Sequence, residues 1–326
     1  PIGTGMGWCR VLLSALAFSL VAVPSLLLLL RGMASPLSVA KQENWPVPGL
    51  AISGLEHDEQ RGIVPHFWRA RWERAQALLS EAAARMAAEG PADVLLIGDS
   101  LTESWLGTDA GVPIKRHTGV PAVRERVFAG LRVAVQGIGA DHTHHVMWRL
   151  RSGVMDSLRP RVVALMVGTN DINFAVRRYE ASRLAQNVEV LEALGAATAE
   201  AVQAVATEVS ARFPDARLVQ CSIPTMGSVP REVARRAANA VIAASGGNAE
   251  FLDTDAVFLR SGPSTGRTPR GTLSLPDGSL VSPVKEAFHG DGIHITDPGY
   301  EALGGLLRAA IDRQLGEASA ARAARD

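Results

Sequence analysis

Short apolar runs alternate with long helical patterns along most of this 326-residue chain. The runs read as five strands, which contain Val94, Val133, Val162, Leu218 and Phe251. The helical patterns lie at residues 66–88, 143–158, 179–212, 231–244 and 298–315. Strands that alternate with helices form parallel sheets, because each crossover helix packs back on a sheet face. The sequence therefore predicts a three-layer α/β/α sandwich with a central, flavodoxin-like parallel sheet of about five strands.

The first strand ends in a turn that presents a serine. Residues 94–97 are apolar and are followed by Gly98-Asp99-Ser100-Leu101 and a helix start. In an open α/β sheet, ligands and catalytic groups gather at the carboxyl ends of the strands. Taken alone, Ser100 is better explained as a helix cap.

Three later segments place further polar groups at strand ends or before a helix. They are Gly137-Ile138-Gly139-Ala140-Asp141, Gly168-Thr169-Asn170-Asp171 and Asp291-Gly292-Ile293-His294. Small residues in the first segment let the backbone approach a ligand closely. An Asp and a His three residues apart on a tight loop can both face one neighbour. All four segments together favour a catalytic site over a set of unrelated caps.

Acyl transfer by an activated serine requires this combination of groups. A serine hydroxyl needs an imidazole to take its proton, and the imidazole needs an anion to fix its tautomer. Ser100, His294 and Asp291 fit these roles as nucleophile, base and orienting acid. The tetrahedral intermediate also needs hydrogen-bond donors for its oxyanion. The candidate donors are the Ser100 amide, the amide near Ala140 and the Asn170 side chain.

In order and spacing, the four segments resemble the sequence blocks of SGNH hydrolases, the GDSL esterase/lipase family. Residues 137–141, 145–150 and 159–163 are similar to the catalytic subunits of intracellular platelet-activating factor acetylhydrolases and their bacterial relatives. The resemblance covers residues 66–315, and we place the hydrolase domain at 66–316. It implies the SGNH hydrolase fold, a serine esterase acting on short acyl (acetyl) groups of a lipid or sugar, and the roles given above for Ser100, His294, Asp291 and Asn170.

This chain departs from the family pattern at two positions. Ala140 stands where the family has its oxyanion glycine, and an alanine there is strained if its φ is positive. Asp171 stands where the acetylhydrolases tend to have Asn. The first departure motivates an alternative function, a membrane-tethered binding module with a weakened active site. An acyltransferase that uses the same triad is a third alternative.

The remaining candidates for chemistry favour structural roles. His142, His144 and His145 cluster, but no Cys or carboxylate completes a metal-ligand spacing, so we interpret them as helix-face residues. Residues 137–141 lack the full dinucleotide-binding pattern. We therefore predict no cofactor and no metal. The net charge is zero and no basic stripe is present, so nucleic acid is not an expected partner.

The amino-terminal part of the chain has a different character. Residues 11–30 are uncharged and flanked by Arg10 and Arg31, which fits either a signal peptide or a signal anchor. We expect a leader at 1–34, a linker at 35–65 and a polar tail at 317–326. The expected location is membrane-anchored or secreted, with a possible tether through residues 11–30. Cys9 and Cys221 are too differently placed to pair. The oligomeric state is left open.

Overall fold

The centre of the fold is a five-stranded parallel sheet. The computed structural model describes residues 68–180, 187–247, 249–260 and 271–323, so the predicted leader and linker lie outside it. The strands are β1 (Val94–Gly98), β2 (Thr108–Asp109), β3 (Val112–Pro113), β4 (Val133–Gly137), β5 (Val162–Met166), β6 (Arg217–Cys221), β7 (Ala249–Leu252), β8 (Leu273–Ser274) and β9 (Leu280–Val281). The sheet order is β4-β1-β5-β6-β7, while β2-β3 and β8-β9 are short antiparallel pairs. This is the flavodoxin-like order, and its reversal point lies beside β1.

Helices cover both faces of the sheet. They are α1 (Trp68–Glu89), α2 (Ser100–Glu103), α3 (Val120–Val127), α4 (Thr143–Arg151), α5 (Thr169–Glu180), α6 (Val188–Arg212), α7 (Val229–Ala244), α8 (Asp255–Phe258) and α9 (Asp297–Ala323). Single 3₁₀ turns lie at Ser104–Leu106, Lys115–His117, Asp156–Leu158 and Lys285–Ala287.

Alternate residues of each strand point to opposite layers. Leu95 and Ile97 join a buried cluster with α4, α5, α6 and α7. Val94 and Leu96 join a second cluster with α2, α3 and α9. Because side chains alternate across a strand, one apolar strand supplies both cores. The predicted three-layer sandwich with a five-stranded parallel sheet is therefore confirmed.

Helix boundaries differ from the sequence prediction. The predicted helix at 143–158 ends at Arg151, because Gly153, two residues later, adopts a left-handed φ of 77°. The predicted helix at 179–212 corresponds mainly to α6, which begins at Val188. Its first two residues, 179 and 180, belong instead to the end of α5. The predicted helix at 298–315 continues to Ala323 because its end is rich in alanine, the best helix former. Over the residues that the structure describes, no helix is sufficiently long and apolar to cross a bilayer.

Candidate active site

Ser100 is the first residue of α2, at the carboxyl end of β1. Asp99, not Ser100, caps this helix, because its carboxylate accepts a hydrogen bond of 2.9 Å from the Leu101 amide. The Ser100 side chain is thus not used as the cap. Burial raises the pKa of Asp99 to about 7, while the Leu101 amide opposes the rise.

Gly137 of β4 leaves room for α2, the helix that begins at Ser100. Gly98 of β1 pairs with Gly137 of β4. A Cβ at Gly137 would lie 2.3 Å from the Glu103 amide nitrogen, so a larger residue would displace α2. The glycine of the second sequence block therefore serves the placement of Ser100.

Buried Glu103 joins α2 to the turn at 138–141. Its carboxylate accepts hydrogen bonds from the amides of Gly139 (2.5 Å), Ala110 (2.9 Å) and Gly111 (2.7 Å). It also accepts one of 2.7 Å from the Thr108 hydroxyl. These four donors balance the buried carboxylate and fix the turn relative to the serine.

Ala140 has the positive φ that the sequence analysis identified as a source of strain. Its φ is 58°, in the left-handed region. The turn is closed by a 3.2 Å bond from the Asp141 amide to the Ile138 carbonyl. Alanine thus adopts a φ that glycine adopts at lower cost, typically by 1–2 kcal/mol.

A buried polar network supports the same turn from below. The Asp141 carboxylate accepts from the Trp72 indole (2.6 Å) and the Arg149 guanidinium (3.0 Å). Arg149 also donates to Gln76 and Gln136. Burial raises the pKa of Asp141 to about 6, although Arg149 and Trp72 counteract this rise. Helix α1 thereby contributes directly to the shape of the turn.

Asn170 lies at the start of α5 and faces the turn. Its amide nitrogen donates 2.9 Å to the Asp141 carbonyl oxygen. An amide NH₂ has two hydrogens, so one hydrogen bond leaves a second donor to offer. The neighbouring Asp171 accepts from the amide and hydroxyl of Thr143 and so holds the start of α4. Burial would raise the pKa of Asp171, but His142 and Thr143 lower it overall.

Exposure distinguishes the candidate residues from their neighbours. Ser100, Ala140 and Asn170 are each partly exposed, whereas the residues on either side of each one are buried. The three turns therefore open to solvent at these positions, along the carboxyl ends of β1, β4 and β5.

Asp291 and His294 meet on a tight loop before α9. Phe288 pairs with Ile295, and the His289 amide donates 2.8 Å to the His294 carbonyl. Asp291 Oδ2 lies 2.7 Å from His294 Nδ1. Because a carboxylate accepts, Nδ1 carries the proton and Nε2 is left as the acceptor.

Backbone amides stabilise the charge of Asp291. Its Oδ1 accepts from the amides of Ile293 (3.0 Å) and His294 (2.9 Å). Partial burial would raise the pKa of Asp291, but these amides and the His294 ring lower it to about 2. The carboxylate is therefore anionic at neutral pH.

The serine and the histidine are connected indirectly in this structure. The Tyr300 hydroxyl donates 2.7 Å to the Leu101 carbonyl of α2. The His117 ring lies 6.4 Å from the Tyr300 ring and 6.1 Å from the His294 ring. Among the described residues, Ser100 Oγ and His294 make no direct hydrogen bond. Such bonds often tighten only when a substrate binds.

The other histidine cluster lies on α4. His142 is the N-cap of this helix, and its amide donates 3.0 Å to His145 Nδ1. The His144 and His145 rings are 4.0 Å apart and both are buried. Within the described ranges, no His, Cys, Asp or Glu group has the arrangement of a metal site.

Sequence reasoning missed the residues that support the site. Glu103, His117 and Tyr300 lie outside the four blocks, and each has a contact that is distant in the chain, to Gly139, His294 and Leu101 respectively. Trp72 lies in the first predicted helix, and its hydrogen bond to Asp141 was not predicted either. Spacing along the sequence carries no signal for these contacts, because each depends on how separate elements dock.

Comparison with known proteins gives consistent matches. A model described as GDSL-like Lipase/Acylhydrolase family matches residues 96–302. Platelet-activating factor acetylhydrolase IB subunit alpha1 of Bos taurus is 29% identical over 174 residues, 52% of this chain and 61% of that protein. The alpha2 subunit of Homo sapiens is 25% identical over 52% of this chain and 62% of that protein. The match thus spans about six-tenths of the length of these curated relatives.

Solved structures with a similar fold were also found. A lipase from a goat rumen metagenome is 16% identical, with a TM-score of 0.47, over 67% of this chain and 96% of that one. An acetylxylan esterase from Geobacillus stearothermophilus is 19% identical, with a TM-score of 0.42, over 68% of this chain and 94% of that one.

Proposed function

Because this chain belongs to the GDSL-like Lipase/Acylhydrolase family, we propose that it is a serine esterase that hydrolyses carboxylic esters through Ser100. The Asp291–His294 pair carries this proposal. A charged carboxylate 2.7 Å from Nδ1 fixes the tautomer in which Nε2 can accept a proton. Because Asp99 caps α2, helix capping does not account for the serine at position 100.

In the proposed reaction, Ser100 Oγ attacks the ester carbonyl carbon and its proton passes to His294 Nε2. Asp291 stabilises the resulting imidazolium. The carbonyl oxygen becomes an oxyanion, for which the amides of Ser100 and Ala140 and the Asn170 side chain are the donors. Collapse breaks the bond to the alcohol, which leaves with the proton from His294. Water then attacks the acyl-enzyme by the same route and releases the carboxylic acid.

We propose short acyl groups, acetyl above all, carried by a lipid or a sugar. The relatives that match over 174 residues are named acetylhydrolases, which supports this choice. We also propose that residues 11–30 direct the enzyme to a membrane or to the secretory pathway. Their lack of charge over 20 residues supports this. Fractionation of cells that express the full chain tests the location, and recovery in the cytosol would contradict it.

The test of the nucleophile is hydrolysis of p-nitrophenyl acetate by the full chain in a mild detergent. We expect Ser100→Ala to lower kcat/KM by about 10³-fold or more, with unchanged circular dichroism. Ser80→Ala is the matched control, since Ser80 lies in α1 and, among the described residues, its side chain hydrogen-bonds with Gln76 of the same helix. Equal activity of Ser100→Ala and wild type would reject Ser100 as nucleophile.

A fluorophosphonate probe separates the alternatives. Labelling of wild type but not of Ser100→Ala supports an activated serine. A folded protein that neither hydrolyses esters nor reacts with the probe would be a binding module instead. Ester products formed with added alcohols, in preference to free acid, would indicate an acyltransferase.

A further inference from the structure

An arginine lies beside the carboxylate of the Asp291–His294 pair. Arg116 Nη1 is 3.7 Å from Asp291 Oδ2, the oxygen that faces His294 Nδ1. Its Nη2 is 3.8 Å from Asp109 Oδ2. The Arg116 side chain is only 35% exposed, so its charge is less screened than that of a surface arginine. One cation therefore lies between two carboxylates at the edge of the site.

The same arginine fixes a second imidazole. Arg116 Nε donates a hydrogen bond of 3.2 Å to Nε2 of His117, which is 1% exposed. Nε2 is then an acceptor, so the proton of His117 is on Nδ1. Burial, followed by the charge of Arg116, lowers the pKa of His117 to about 4. His117 is consequently a neutral ring that packs between Tyr300 and His294.

We propose that Arg116 is a positioning residue that holds Asp291 in place and keeps His294 neutral, and hence able to accept a proton, at lower pH than an isolated Asp–His pair would. This inference rests on the proposed function. Protonation of His294 places a second positive charge against a carboxylate that already has a guanidinium nearby. The positive charge of Arg116 opposes that step.

The groups that face His294 come from several elements. Asp291 and the His117 ring lie directly against the His294 ring. Arg116 contacts Asp291, Asp109 contacts Arg116, and the rings of His289 and Tyr300 pack on His117. Of these, Arg116 is the only arginine or lysine. Replacing Arg116 by a neutral residue therefore removes the one arginine or lysine charge of this set.

The test compares pH profiles of kcat/KM for the full chain. We expect Arg116→Gln, which can still donate to His117, to move the acid limb up by on the order of 0.5–1 pH unit. On that limb, the loss relative to wild type should be roughly three- to tenfold larger than the loss that the same variant shows at pH 8. Arg116→Lys keeps the charge and should leave the limb near its wild-type position.

Asp109→Asn gives a shift of opposite sign. It removes a negative charge near Arg116, so the acid limb should move to lower pH. A purely structural role of Arg116 would not produce shifts of opposite sign. Arg161→Gln is the control, since Arg161 pairs with Asp93 at 3.4 Å at the other end of the strands.

Two results would overturn the inference. One is an unchanged acid limb in Arg116→Gln, and the other is a Lys variant that shifts as far as Gln. If Arg116→Gln does not fold, an unmoved limb in Asp109→Asn overturns it equally. NMR titration of the His294 ring reports the same shift without catalysis. A shifted titration in a chain that has no Ser100-dependent activity would reject the proposed function and leave the role of Arg116 standing.

Discussion

At the scale of single residues, Ala140 introduces backbone strain into the candidate oxyanion turn. A left-handed φ of 58° brings the Cβ of an alanine close to its own carbonyl oxygen, which a glycine avoids. The conformation persists because neighbours fix both sides of it. Gly139 donates to Glu103, and Asp141 is held by Trp72 and Arg149. Strain at Ala140 is thus offset by hydrogen bonds of the residues on either side of it.

Replacing Ala140 by glycine should therefore stabilise the protein. We expect Ala140→Gly to raise the free energy of unfolding by about 1 kcal/mol, since relief of strain exceeds the added entropy of the unfolded chain. Esterase activity should be retained, because the amide stays in place. Urea denaturation measures the first effect and p-nitrophenyl acetate hydrolysis the second.

Ala84→Gly makes the same chemical change where it should have the opposite sign. Ala84 is exposed within α1, and glycine in a helix interior costs roughly 1 kcal/mol relative to alanine. Destabilisation by Ala140→Gly to the same extent as Ala84→Gly would show that the turn carries no strain.

At the scale of elements, the pairing of α6 with α7 explains why a glycine lies inside a helix. The sequence analysis treated residues 179–212 as one helical stretch. In the structure Gly195 lies buried inside α6 without interrupting it. A Cβ there would lie 2.1 Å from the Ala234 carbonyl oxygen of α7. The glycine is therefore required for the close approach of two helices, and a helix-propensity argument alone gives no indication of this.

A substitution at this contact should be costly. We expect Gly195→Ala to lower the free energy of unfolding by about 1–3 kcal/mol, because the added methyl group collides with backbone atoms. The matched control is Gly305→Ala in α9, where a Cβ would meet nothing within 4 Å. That variant should gain roughly 0.5–1 kcal/mol from better helix propensity. Thermal melts of both proteins test the contrast, and two shifts of the same sign would refute it.

At the scale of the whole molecule, the sheet order explains why the motifs could be found from the sequence. In the order β4-β1-β5, the three strands that precede Ala140, Ser100 and Asn170 are direct neighbours. Residues that follow adjacent parallel strands lie close together in any such sheet. Motif spacing and strand prediction were therefore sufficient to group these three residues. The fold class follows from the same alternation.

The remainder of the site depends on docking between distant elements. Arg116 approaches Asp291 from a 3₁₀ turn about 175 residues earlier in the chain, and Trp72 approaches Asp141 from α1. Neither contact has a local sequence pattern, since each forms only when a separate layer packs against the sheet. The predicted helix at 143–158 ends early for a local reason, because Gly153 adopts a left-handed φ of 77° just after Arg151.

The independently folding unit covers the elements that build the buried clusters. Residues that form the two buried clusters and the α1 network all lie between Trp72 and Ile311. We therefore expect a chain that begins at residue 66, the predicted start of the hydrolase domain, to unfold cooperatively and to keep the kcat/KM of the full chain. A chain that begins at residue 90 lacks α1, which leaves Asp141 without the Trp72 indole and Arg149 without Gln76. Because unpaired buried polar groups are costly, this shorter chain should aggregate or lose its thermal transition. Calorimetry and ester hydrolysis on both chains measure the difference, and equal stability of the two would show that α1 is dispensable.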